Sequence, residues 1–326
     1  MSIVTPTPGS PQQAHPDEGV SISALALGPA VDTASASQST AGERISDIAR
    51  YMRRNSSLPI GLTMLLVLAI FLIVGRFMVD LEEARAVSVA PLRPPSAELP
   101  FGSDRQGRNL FAVSIAGTPM TLQIGLTAGL IGVGFGAALA FIAAYYGGKV
   151  DMVIKGLVDT GLTIPGLMIL ITVAMNVRGG LNVTQMALVV ASLAWLYPAR
   201  TIRAQLLTLR ERSYIQIAKM SGMSGPEIIV KEMLPNLLPY LVAALVNSTS
   251  AAILASIGLE VLGLGPFEAP TIGMTLYWVN YNAAIINGWW WWWVPPIVVI
   301  GIVFIGLFLV AIGLDEIANQ RLRRTV

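Results

Sequence analysis

The 326-residue chain has no cysteine and a single histidine, His15, and only 12% of its residues are charged. Without thiols it can form neither a disulfide framework nor an iron–sulfur cluster, and one imidazole is too little for a zinc centre. Soluble domains carry about 25% charged residues, so the composition argues against a water-soluble enzyme. Neither sign of charge dominates: 21 Lys and Arg face 19 Asp and Glu, for a formal net charge of +2. That surplus is too small for a basic nucleic-acid surface. A Walker A phosphate loop is also missing, because Gly147-Gly148-Lys149 has Ala143 in place of the upstream Gly and Val150 in place of Ser or Thr. Any ATP chemistry must therefore sit on another chain. The run Gly132-Val133-Gly134-Phe135-Gly136 has the spacing of a dinucleotide turn but follows no strand. Close helix packing through the pairs Gly125/Gly129 and Gly132/Gly136 accounts for it better.

Apolar sequence, by contrast, is plentiful: 54% of the residues are hydrophobic and the mean hydropathy is +0.66. A bilayer-spanning helix needs roughly 20 residues, and charge-free stretches of that kind recur. They predict spans at 58–75, 121–146, 160–177, 179–199, 233–259 and from Val294 onward. Pro119 is expected to separate a short lead-in from the second span, Pro165 to kink the third, and the Arg178-Gly179-Gly180 turn to divide the third from the fourth. Residues 1–42, poor in large apolar side chains, read as a disordered tail with no cleavable signal peptide. Residues 43–57 read either as an amphipathic helix on an anionic membrane surface or as a charged linker. Residues 315–326 read as a C-terminal tail. With six spans both termini share one side. The positive-inside bias places that side in the cytoplasm, leaving only Arg76, Arg85, Arg93, Arg105, Arg108 and Arg178 outside. The Trp289–Trp293 run suits a water–lipid interface; contact with a docked binding protein or an oligosaccharide is the alternative.

One cytoplasmic connection, 201–235, is longer and more charged than a compact bundle requires. Ser213–Met220 reads as a helix closed by Gly222 as its C′ residue. Ser224-Gly225-Pro226-Glu227 reads as a capping box that opens a second helix, with a stop at Pro235. Met220, Met223 and Ile228 near the bend make the hairpin a candidate plug for a partner's groove.

Tyr214, Ala218, Gly222, Ile228-Ile229 and Leu234-Pro235-Asn236 resemble the EAA loop of binding-protein-dependent ABC importer permeases. Gln216 stands where that family often has Glu, and Ile217 where it has the first Ala. Three further stretches are similar to the peptide/nickel class of these permeases: Phe101 to Asn109, Val261-Leu262-Gly263-Leu264-Gly265, and Leu314-Asp315 to Arg321-Leu322-Arg323, the last with Asn319-Gln320 in place of Asp-Pro. The resemblance covers roughly residues 45–324. It implies an all-α, six-span inner-membrane permease of the type I importer kind, with a cytoplasmic EAA-like helical hairpin. It also implies partners: a second homologous permease, two ABC ATPase subunits that bind ATP and Mg, an extracytoplasmic substrate-binding protein, and membrane lipid. This chain would carry no cofactor, metal or catalytic residue of its own. Its cargo would be a di- or oligopeptide, with oligosaccharide or nickel as alternatives.

The expected ATPase-coupling residues are Tyr214, Gln216, Ala218, Gly222, Ser224, Glu227 and Pro235. Asn247 and Ser250, midway along the fifth span, stand either on the translocation path or in interhelical hydrogen bonds. Glu260 stands either on that path or at the water interface. Asp151 and Asp315-Glu316 read as solvated boundary charges. A self-sufficient channel or secondary transporter is the rival class, but inverted repeats and a selectivity filter are not evident. An intramembrane enzyme would need a catalytic constellation, and the lone His15 lies in the tail.

Overall fold

The computed structural model describes residues 56–177 and 180–318. The expectations for residues 1–42, most of 43–57, Arg178-Gly179 and 319–326 lie outside the described residues. The described chain is helical, with no strand beyond an isolated bridge between Ser103 and Asn109. Its helices are α1 (Ser57–Met78), α2 (Leu110–Tyr146), α3 (Gly148–Thr163), α4 (Gly166–Met175), α5 (Val183–Ala194), α6 (Leu196–Arg210), α7 (Ser213–Met220), α8 (Leu234–Val261), α9 (Ile272–Tyr281) and α10 (Trp290–Ala318).

Four helices are long and apolar enough to cross a membrane: Ser57–Met78, Leu110–Tyr146, Gly225–Val261 and Trp290–Glu316. The pair α3–α4 makes a fifth if counted as one broken span, and α5 is a shorter apolar helix in the place of the expected fourth. Six is thus the count read from the sequence, and the helices observed are compatible with it.

Helix α2 is the axis of the bundle. Its 37 residues reach about 55 Å at roughly 1.5 Å per residue, and α8, α6 and α5 pack along it. Its glycines permit the close approach. A Cβ on Gly129 would stand 2.6 Å from the Thr249 hydroxyl of α8, and one on Gly132 would stand 2.7 Å from the Ala194 carbonyl of α5. The glycine run is therefore a packing surface, as its spacing suggested. Helices α1 and α10 pack against each other, again through glycine: a Cβ on Gly61 would lie 2.7 Å from the Gly306 carbonyl.

Three prolines act differently from expectation. Pro119 does not divide α2, which runs through it. One missing backbone donor is tolerated where neighbouring residues such as Ile115 and Thr118 are buried in protein. Pro165 breaks its span outright: Ile164 is extended with ψ 132°, Pro165 caps α4, and α3 and α4 diverge by 84°. A residue before proline is driven out of the helical region. Pro235 does not stop the hairpin's second helix. It falls in the first turn of α8, where a missing donor costs little, and the π-helical segment Ile229–Met233 joins it to the turn Gly225–Ile228. The expected tail also begins later, because Asp315 still belongs to α10.

At the Leu110 end of α2, residues 80–109 fold into a cap. Asp104, fully buried, accepts from the Arg108 guanidinium and from the backbone N–H of Gln106 and Arg108. Asn109 donates to Glu83 at 2.6 Å. The tryptophan run closes the cap from the other side: Trp292 is fully buried and Trp291 donates to the Ser103 carbonyl at 3.3 Å. The indoles are thus largely core of the cap, and Trp290 is the one in the run that is more than half exposed. Trp292 is buried beside Leu110, Val279 and Ala284, while Trp289, Trp291 and Trp293 are partly buried against the same cluster.

Candidate functional site: a hairpin and a cavity

At the Tyr146 end of α2 stands the segment singled out in the sequence. Helix α7 ends in the predicted left-handed glycine: Gly222 has φ +81°. The Gly222 N–H donates to the Lys219 carbonyl at 3.1 Å and the Met223 N–H to the Ala218 carbonyl at 3.2 Å. This pair of bonds is a Schellman closure, and a residue without Cβ adopts it at no steric cost. The chain then reverses into Gly225, where an added Cβ would fall 1.8 Å from the Tyr145 ring at the end of α2. The hairpin is seated directly on the axis helix. Arg210 fastens its root by donating to the Ala144 carbonyl at 3.1 Å.

The predicted coupling residues divide by position. Ala218 is buried, with Ile215 and Ile228, in the cluster that joins the hairpin to α2 and α8. Tyr214 packs against the same cluster, and burial pushes its phenol above the ordinary value, Arg212 opposing and Glu232 adding to the shift. Gln216 donates to the Arg210 carbonyl at 3.3 Å. Ser224 precedes the second turn of the hairpin, but its side chain makes no capping bond. Glu227 pairs instead with Lys231, one helical turn on, at 2.6 Å. Both are exposed enough for water to compete, so the pair holds this turn only weakly, and the expected capping box is not formed. Pro235 stands in the first turn of α8. Of the three apolar residues near the bend, Ile228 is buried and only Met220 projects, at 82% exposure. Ile217 and Val230, which sequence reasoning did not single out, project beside it at 61% and 60%. Their helical spacing on a charged segment is the signal that could have found them.

A cavity of about 790 Å3 lies between α3, α4, α5, α6 and α8, with Asp315 of α10 also on its lining. Asn247 faces it, as one of the two readings required, and Ser248 lines it as well. Ser250 is not among its lining residues and bonds its own helix at Val246. Glu260 departs from both expectations, being neither on the cavity nor at a water interface. It is fully buried and accepts from the Thr271 hydroxyl at the start of α9. Gly265 and Gly273 make room for it, since a Cβ on either would lie within 2.6 Å of its side chain. The bond joins the end of α8 to the start of α9. Asp151 is likewise no solvated charge: it forms a two-pronged ion pair with Arg203, tying α3 to α6. Asp315 faces the cavity. Among the described residues no cluster of His, Cys, Asp and Glu suited to a metal ion occurs.

The fold and site define a class, a polytopic helical membrane protein with a helical hairpin seated on its longest helix. Residues 132–324 match the family of binding-protein-dependent transport system inner membrane components, and the chain belongs to that family. The chain is 28% identical over 278 residues to the dipeptide transport system permease protein DppC of Bacillus subtilis, covering 85% of this chain and 86% of that one. It is 30% identical over 224 residues to the DppC of Alkalihalophilus pseudofirmus, covering 68% and 72%. The oligopeptide transport system permease protein OppC of Mycobacterium tuberculosis is 30% identical over 185 residues, a stretch that spans 57% of this chain and 63% of that relative.

Proposed function

We propose that the chain is one permease subunit of an ABC importer for di- or oligopeptides. It forms half of a translocation path with a second, homologous permease. Two ATPase subunits hold ATP and Mg, and an extracytoplasmic binding protein delivers cargo. Both termini lie in the cytoplasm, on the hairpin side. The observation that carries this reading is the hairpin closed at Gly222 and seated at Gly225 on Tyr145.

A helix pair that touches the axis of the bundle while presenting Ile217, Met220 and Val230 outward can act as a lever. Closure of the ATPase pair pushes the hairpin, the push passes into α2 and α8, and the cavity changes the side on which it opens. No covalent step falls to this chain. The peptide cargo is supported by the DppC and OppC relatives, which are named as dipeptide and oligopeptide transport system permeases.

The test is gentle solubilisation of the tagged chain from its native membrane and mass spectrometry of what accompanies it. A second permease and ATPase subunits in stoichiometric amount are the expected result. Recovery of the chain alone as a stable homo-oligomer would overturn the reading in favour of a channel or secondary transporter.

A further inference from the structure

The cavity is lopsided in charge, and we propose that it sorts cargo by charge, passing peptides with neutral or basic side chains and retarding acidic ones, with Asp315 as the discriminating group. The inference rests on the importer reading above and adds to it the class of peptide.

Among the described residues Asp315 is the one charged residue lining the cavity, and no Lys or Arg accompanies it. Among the described residues no ion pair neutralises it. The polar lining residues are Tyr197, Thr201, Tyr240, Asn247, Ser248 and Asp315, and Asp315 lies within electrostatic range of Tyr240. Much of the remaining wall is apolar, with Leu162, Leu167, Leu170, Leu193 and Leu254 among its residues.

The geometry gives this asymmetry a direction. Along α8 the lining runs from Tyr240 to Gly258, about 27 Å of helix. Tyr240 is near the hairpin end of α8, and Asp315 belongs with it. Imported cargo therefore crosses the apolar part first and meets the carboxylate near the exit.

An exposed carboxylate at the end of a largely apolar cavity, without an ion-pair partner among the described residues, projects a negative potential into it. It attracts the ammonium or guanidinium of a basic peptide and repels a second carboxylate. The apolar wall meanwhile accepts aliphatic and aromatic side chains without unpaired polar groups. The volume suits a ligand of a few residues, falling within the roughly 300–1,000 Å3 of small-molecule sites.

The experiment uses the complete transporter, reconstituted in liposomes with its own binding protein, and measures uptake of Ala-Lys-Ala, Ala-Gln-Ala and Ala-Glu-Ala. Because the binding protein is the same throughout, its preference cancels when variants are compared. The lysine-to-glutamate uptake ratio should fall about fivefold in Asp315→Asn, the factor for the two units of charge that separate the peptides, acting across roughly 8 Å of water. In Asp315→Lys it should fall further and invert. Uptake of the glutamine peptide reports whether each variant is assembled, and the isosteric Asp315→Asn decides the matter if Asp315→Lys fails to assemble. An identical ratio in the wild type and Asp315→Asn would overturn the charge inference while leaving the importer reading intact. Failure of the wild type to take up any of the three peptides, alongside import of a sugar or metal, would overturn the peptide reading and this inference together.

Discussion

At its Leu110 end α2 enters a cap in which Asp104, Arg108, Asn109 and Trp292 are all buried, whereas at its Tyr146 end it meets a hairpin whose Ile217, Met220 and Val230 are more than half exposed. The cap is held by buried, charge-assisted hydrogen bonds, which are costly to break because each lost partner strands the other in the interior. The hairpin's own ion pair, Glu227–Lys231, is exposed and contributes little. Its attachment rests on an apolar cluster, one close glycine contact and the Arg210 bond to the Ala144 carbonyl. One end of the axis helix is thus the more firmly held, and in the proposed mechanism it is the other that is pushed. A lever needs that inequality, since a push on a helix does work only if its far end resists.

The largest functional effect should come from Gly222→Val. A β-branched residue at φ +81° opposes the Schellman closure, so uptake should be abolished while the chain still inserts and co-purifies with its partners. Normal uptake would remove the hairpin from the coupling path.

Stability should separate the two ends. Asp104→Ala leaves the Arg108 guanidinium buried without its carboxylate and should cost about 3–5 kcal/mol, read as a lowered thermal midpoint in detergent. Lys231→Ala at the hairpin should leave that midpoint where it was. Equal shifts at both sites would erase the distinction between anchor and lever.

The smallest effect is expected of Glu260→Gln. The amide retains an acceptor for the Thr271 hydroxyl in the same glycine-lined space, so peptide uptake should remain within about twofold of wild type, as for an isosteric exchange in a packed site. A specific loss of substrate-stimulated turnover would return Glu260 to the translocation path.

Several of these features were legible in the residues themselves. The Gly222 turn follows from a helical run meeting a residue that can adopt φ > 0, and the role of Gly129 and Gly132 follows from small residues at helical spacing in a charge-free segment. Both are local rules. Pro165 was readable as a disturbance but not as an 84° break, because the angle depends on what each half-helix packs against. Glu260 was misplaced because its surroundings come from Gly265, Thr271 and Gly273, which approach it only when the loop after α8 folds back. The same holds for Asp151, whose partner Arg203 lies 52 residues away, and for the tryptophan run, whose burial depends on the cap.

By itself the sequence determined the helical membrane class, the axis glycines and the hairpin with its closing turn, because hydropathy, small-residue spacing and backbone permissiveness act within a few residues of one another. Only the tertiary structure decided which charges are buried, which line the cavity and which end of α2 is anchored. Burial and electrostatic pairing are properties of groups brought together from distant parts of the chain, and no local pattern records who the neighbours will be.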